Sequence, residues 1–124
     1  MPEIINIDEF TQDDLMDYQN KLNGKKLILK FSATWCKPCV KLNKIWDEKI
    51  KDLPDNVQII PVDIDESLEL YVKLKSLKMI SGVPTIMLWY KKEDKWYIPN
   101  VVISGTKEED INYLLKMCVT NNNK

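Results

Sequence analysis

Short apolar runs alternate with segments of helical period along almost the whole chain, and this alternation restricts the fold more than any other feature. Residues 4–7, 26–31, 57–64, 85–90 and 96–103 read as strands, and Pro99 marks the last as an edge or bulged strand. Between them, apolar residues recur three and four apart. Leu15, Tyr18 and Leu22 form one such face, and Cys39, Leu42, Trp46 and Ile50 form a second. A third helix runs from a Ser67 cap to about Leu77, and Ile111, Leu114, Leu115 and Cys118 line a fourth. Start and stop signals agree with this reading. Thr11 with Asp14 reads as a capped helix start, Phe10 and Leu15 sit where a hydrophobic staple would be, and Gly24 can supply a left-handed C-terminal residue. Thr106 with Glu109 predicts a capping box for the last helix. The order is β-α-β-α-β-α-β-β-α. It predicts an α/β protein whose central mixed five-stranded sheet is flanked by four helices. Parallel strands are joined by right-handed crossovers, and the last two strands form an antiparallel hairpin.

The 124 residues suit one domain, expected over 1–120, with 121–124 as a frayed tail. All 18 basic residues are Lys, so the side chains suited to bidentate phosphate and base recognition are missing, and no nucleic-acid partner is expected. The chain has no His, which removes the commonest general base and zinc ligand. Its apolar runs are too short to cross a bilayer, and residues 1–10 lack a basic run leading into a long apolar stretch. A cytoplasmic protein without a membrane partner is the expectation. Three cysteines are too few for a disulfide framework, so the Cys-x-x-Cys at 36–39 points to redox or metal chemistry.

That motif lies where a strand runs through a loop into a helix: Phe31, Ser32, Ala33, Thr34, Trp35, Cys36, Lys37, Pro38, Cys39. A thiolate at a helix start faces unpaired N–H groups and the positive end of the helix dipole, which lowers its pKa from about 8.5 towards about 7. Pro38 is tolerated there because first-turn N–H groups have no helical partner. Cys36, earlier in the turn, is expected to be the exposed nucleophile, and Cys39, deeper, the resolving thiol. The competing reading is half of a zinc site. Structural zinc takes four ligands, and this chain offers only Cys118 besides, so carboxylates would have to complete it. No metal is expected.

The stretch 31–39 resembles the active site of thioredoxins, especially the eukaryotic type. Gly82, Val83, Pro84 and Thr85, ahead of a strand, resemble the family's cis-proline loop, and Ser104-Gly105 resembles its glycine loop. The likeness extends over about residues 1–118. It implies the thioredoxin fold and a protein-disulfide reductase that works by dithiol–disulfide exchange, with no cofactor beyond the Cys36–Cys39 disulfide. It also implies disulfide-containing client proteins that lie across Trp35, Val83, Pro84 and Gly105, and a recycling partner like thioredoxin reductase. A monomer is expected. Alternatives of the same fold are a more oxidising oxidase or isomerase and a redox-silent binding module.

Three positions depart from the family pattern. Lys37 stands where Gly is usual, Lys44 where a helix-kinking Pro is common, and Lys30 where a buried Asp is thought to relay protons near the second cysteine. Lys37, Pro38, Lys30 and Asp63 are the candidate redox-tuning residues. Lys30, in a strand that should be buried, needs a partner. Strand alternation nominates Asp63, so a Lys30–Asp63 pair is expected to replace the missing Asp. Cys118 and the tryptophans Trp46, Trp89 and Trp96 read as packing residues.

Overall fold

A computed structural model describes residues 1–120. The expected tail at 121–124 lies outside the described residues. The elements are β1 (Glu3–Ile4), α1 (Gln12–Asn20), β2 (Lys26–Ser32), α2 (Lys37–Lys49), β3 (Val57–Asp63), α3 (Leu68–Ser76), β4 (Thr85–Trp89), β5 (Val101–Ser104) and α4 (Glu108–Thr120), with a 3₁₀ turn at Ile50–Asp52. The sheet order is β1-β3-β2-β4-β5. β3 pairs in parallel with β1 and β2, whereas β4 pairs antiparallel with both β2 and β5. This is the predicted mixed five-stranded sheet.

Side chains of the central strands alternate between two cores. Leu27, Leu29 and Phe31 of β2 face one side, with Leu15 of α1 and Leu70 and Leu74 of α3. Ile28 faces the other, with Leu42 and Trp46 of α2 and Ile111, Leu114 and Cys118 of α4. Covering both faces removes β2 from water along almost its whole length, which accounts for its near-continuous apolar run.

Local chemistry sets the element ends. Thr11 and Asp14 form a reciprocal capping box, Thr11 Oγ1 accepting from Asp14 N at 3.1 Å and Asp14 Oδ2 from Thr11 N at 3.0 Å. Ser67 does occupy the cap position of α3, yet its hydroxyl accepts from Phe10 N at 2.8 Å instead of capping the helix. That bond ties the entry of α1 to the start of α3.

Three predicted boundaries move. The first strand contains only Glu3–Ile4, continued by one bond from Ile5 N to Ile59 O. The last begins at Val101 rather than at residue 96. Residues 91–100 instead form an irregular loop, held by Gln19 Nε2 donating to Trp96 O and Trp89 Nε1 donating to Ile98 O. Asn100 Oδ1 accepts from both Tyr90 N and Lys91 N and so acts as the turn's clasp. α4 starts at Glu108, and the Lys107 carbonyl, not that of Thr106, accepts from Ile111 N.

Candidate active site

β2 delivers the chain to its end at Ser32, and the loop from Ala33 turns it into α2. Cys36 N donates to Ala33 O at 3.2 Å, which closes that turn, and Val40 N donates to Cys36 O at 3.3 Å, the first bond of the helix. Cys36 is thus the N-cap of α2, with extended backbone. Its sulfur accepts from Cys39 N at 3.2 Å, the position a capping Ser or Asp oxygen would take. Cys36 and Cys39 form a disulfide with Cα atoms 5.2 Å apart. Pro38 sits in the first turn, where it forfeits no helical bond.

The first cysteine is less exposed than the sequence suggests. Cys36 is 4% accessible and Cys39 1%. Cys36 nevertheless lines an open groove of about 500 Å³, whereas Cys39 does not. Trp35, 65% exposed, and Lys37 beside it face the solvent in its place. Both cysteines belong to the core on the α1–α3 side, while the body of α2 packs on the opposite core. The helix start therefore lies across the end of the sheet, where neither core covers it completely. A larger cavity of about 610 Å³, between the start of α1 and α3, contains no cysteine and plays no part in this site.

The Val83–Pro84 peptide is cis, and Val83 O lies 3.8 Å from Cys36 Sγ. Pro84 is buried and Val83 lines the groove. Gly105 stands behind this loop: its N–H donates to Pro84 O at 3.0 Å, and its φ of +91° is one that L side chains rarely adopt. Gly105 is exposed but does not line the groove. Thr85 Oγ1 donates to Gly82 O at 2.7 Å and holds the loop from the strand side. Trp35 Nε1 donates to Asp65 Oδ2 at 2.9 Å, and Asp65 N donates to Asp63 Oδ1 at 2.8 Å. The indole is thereby tethered to the loop after β3, a contact that sequence reasoning missed.

Lys30 is buried, as expected, but its partner is not Asp63. Its ammonium donates to Asn43 Oδ1, and the carboxylate acting on it is Asp47. In the β2–β3 register Lys30 stands opposite Pro61, and Asp63 stands opposite Ser32. Asp63 therefore lies one pleat further along, turned to its own loop. The partner comes from the helix layer above the sheet and not from the neighbouring strand. α2 crosses this face of β2, and Asn43 and Asp47, four and eight residues after Cys39, share its side of the helix. Burial lowers the Lys30 pKa, and Asp47 partly offsets that shift. Cys118, buried among apolar residues of α4 and the sheet, has its thiol pKa raised by burial to about 11, with Lys26 acting weakly in the other direction. A thiol with that pKa is inert at neutral pH. Among the described residues no group of three or more His, Cys, Asp or Glu is placed to hold a metal ion, and no helix is long and apolar enough to cross a membrane.

Fold and site together define a class: an α/β domain whose central strand feeds a cysteine pair at the start of the following helix. The family model described as Thioredoxin matches residues 8–116, and the chain belongs to that family. A thioredoxin of Rickettsia bellii is 36% identical over 69 residues, 56% of this chain and 62% of its own length. A thioredoxin of Ophiophagus hannah is 29% identical over 106 residues, 83% of this chain and 91% of its own. The chain thus spans less than two thirds of the first of these relatives. Among solved structures, reduced Schistosoma mansoni thioredoxin pre-protein superposes with a TM-score of 0.69 at 22% identity, over 92% of this chain and 96% of its own. Chloroplastic thioredoxin z gives 0.69 at 23% identity over 96% of each chain. At such identities these superpositions establish the fold.

Proposed function

We propose that this chain is a thiol–disulfide oxidoreductase that reduces protein disulfides through Cys36 and Cys39. The observation that carries the reading is the Cys36 sulfur itself. It caps α2, accepts the Cys39 N–H, lies at disulfide distance from Cys39, and borders an open groove. In the reduced protein the same N–H and the helix dipole stabilise a thiolate at Cys36.

The thiolate attacks one sulfur of a client disulfide. That S–S bond breaks, a Cys36–client disulfide forms, and the displaced client sulfur leaves as a thiolate that takes up a proton. Cys39 then loses its proton and attacks the Cys36 sulfur. The mixed disulfide breaks, the client leaves as a dithiol, and the protein retains the Cys36–Cys39 disulfide. Two electrons pass to the client, and a recycling partner of the thioredoxin-reductase kind returns them. Trp35 and Val83 bear on the client directly. Pro84 and Gly105 act behind them, because their mutual hydrogen bond fixes the position of the Val83 carbonyl. No cofactor beyond the disulfide is required, and a cytoplasmic reducing environment suits the direction of transfer.

The reading is tested by insulin reduction with dithiothreitol as recycling donor, together with a redox titration of the cysteine pair. Turnover that disappears in both Cys36→Ser and Cys39→Ser, with a potential near that of reducing thioredoxins at about −270 mV, is the expected result. A potential near about −120 to −180 mV would assign the chain to oxidation or isomerisation instead. An inert pair would leave a binding module.

A further inference from the structure

The groove beside Cys36 is electrostatically one-sided. Two of the residues lining it are charged, Lys37 and Lys75, and no carboxylate lines it. Both lysines are exposed, and among the described residues neither is ion-paired. Lys75 is held in place without being neutralised. Its ammonium lies 5.7 Å from the centroid of the Tyr71 ring, one turn earlier on α3, and Tyr71 is packed against the core. Lys37 occupies the first position of α2, whose first turn has no acidic residue. A cation there opposes the helix dipole and costs stability, so its presence calls for a gain elsewhere. The positive helix end and the two cations bear on the approach to Cys36 from different elements. The carboxylate of Asp65, outside the lining, is engaged by Trp35 Nε1.

We propose that this groove selects client polypeptides carrying an acidic residue beside the disulfide cysteine. Trp35 and Val83 supply apolar contact, while Lys75 and Lys37 receive the client carboxylate. The inference rests on the exchange reaction above and names the client chemistry that favours it. Exposed ion pairs are individually weak, so the selectivity is modest and acts mainly on the rate of encounter.

The test uses the reduced full chain and three synthetic peptides, each holding one intramolecular disulfide, with Glu, Gln or Lys two residues from the cysteines. Second-order reduction rates are measured by stopped-flow tryptophan fluorescence. The expected order is Glu, then Gln, then Lys, with about fivefold between the first and last at low ionic strength, shrinking in about 0.5 M salt as screening shortens. The Glu-to-Lys rate ratio should collapse towards one in a Lys37→Gln/Lys75→Gln double variant and persist in Lys116→Gln, an exposed lysine on α4. The ratio cancels any change in intrinsic thiol reactivity that Lys37 causes in all three peptides alike. Equal or reversed rates with the unaltered chain would overturn the proposal, as would an order that survives in the double variant. Reduction of none of the three peptides would overturn the exchange reading itself, and this inference with it.

Discussion

Lys30 is a charged side chain in the middle strand of the sheet, and its environment sets its consequences. Among the described residues the ammonium has one hydrogen bond, to the Asn43 amide, and one influential carboxylate, Asp47, which is itself exposed. Removing the amide leaves a buried cation without its acceptor, so Asn43→Ala should lose about 1–3 kcal/mol in urea unfolding at pH 7. Lys30→Met should be near neutral or stabilising, because a thioether chain of similar length fills the space without desolvating a charge. The pH dependence follows from the lowered pKa. Between the folded value and 10.5 the unfolded chain binds more protons, so this group's contribution to stability rises with pH in that window. The advantage of Lys30→Met over the parent should therefore shrink as pH approaches 10.5. Cys118 behaves oppositely. Its folded pKa of about 11 lies above the ordinary 9.0, so the folded state holds a proton that the unfolded state loses. Its contribution is fully present below pH 9.0 and falls as pH rises to about 11. Cys118→Ala should remove that decline, on the order of 2–3 kcal/mol across the window. A parallel pH profile for parent and variant would contradict it.

At the scale of elements, the start of α2 holds the cysteine pair on which the proposed exchange rests, and Lys37 is the proposed tuning residue beside it. A cation between the two cysteines favours the Cys36 thiolate, which stabilises the reduced form and makes the disulfide a better oxidant. Lys37→Gly should therefore lower the reduction potential, read by equilibration against glutathione. An unchanged or higher potential would show that the charge is fully screened by water. The elements also show where sequence reasoning succeeds and fails. Strands β2, β3 and β4 and helices α1 to α3 are legible because burial on one or both faces writes a period of 2 or 3.6 into the residues. The loop 91–100 is not. Trp96, Tyr97 and Ile98 look like a strand, yet Gln19 and Trp89 take the carbonyls of Trp96 and Ile98, and Asn100 takes the N–H groups that turn the chain. Those partners are up to 77 residues away in sequence, and no local pattern announces them. The Lys30–Asn43 contact escaped for a related reason. Strand alternation puts Pro61 and Asp63 on one face of β3, and Lys30 stands opposite Pro61, but α2 supplies Asn43 to the ammonium in place of Asp63. Asn43, four residues after Cys39 on the same helix, was the available signal.

In the whole molecule, two cores on opposite faces of one sheet hold α2 by its body and leave its first turn at the sheet's end, beside the Val83–Pro84 loop. The fold thus presents one sulfur to an open groove and keeps the second beneath it, the arrangement a two-step exchange requires. The central claim is that Cys36 receives the client and Cys39 releases it. Trapping tests it most directly: Cys39→Ser is reacted with a disulfide-bonded client, and the adduct is located by peptide mapping. A stable mixed disulfide on Cys36, absent from Cys36→Ser and unaffected by Cys118→Ala, is the predicted result. An adduct that forms as readily on Cys39 in Cys36→Ser, or one found on Cys118, would contradict it.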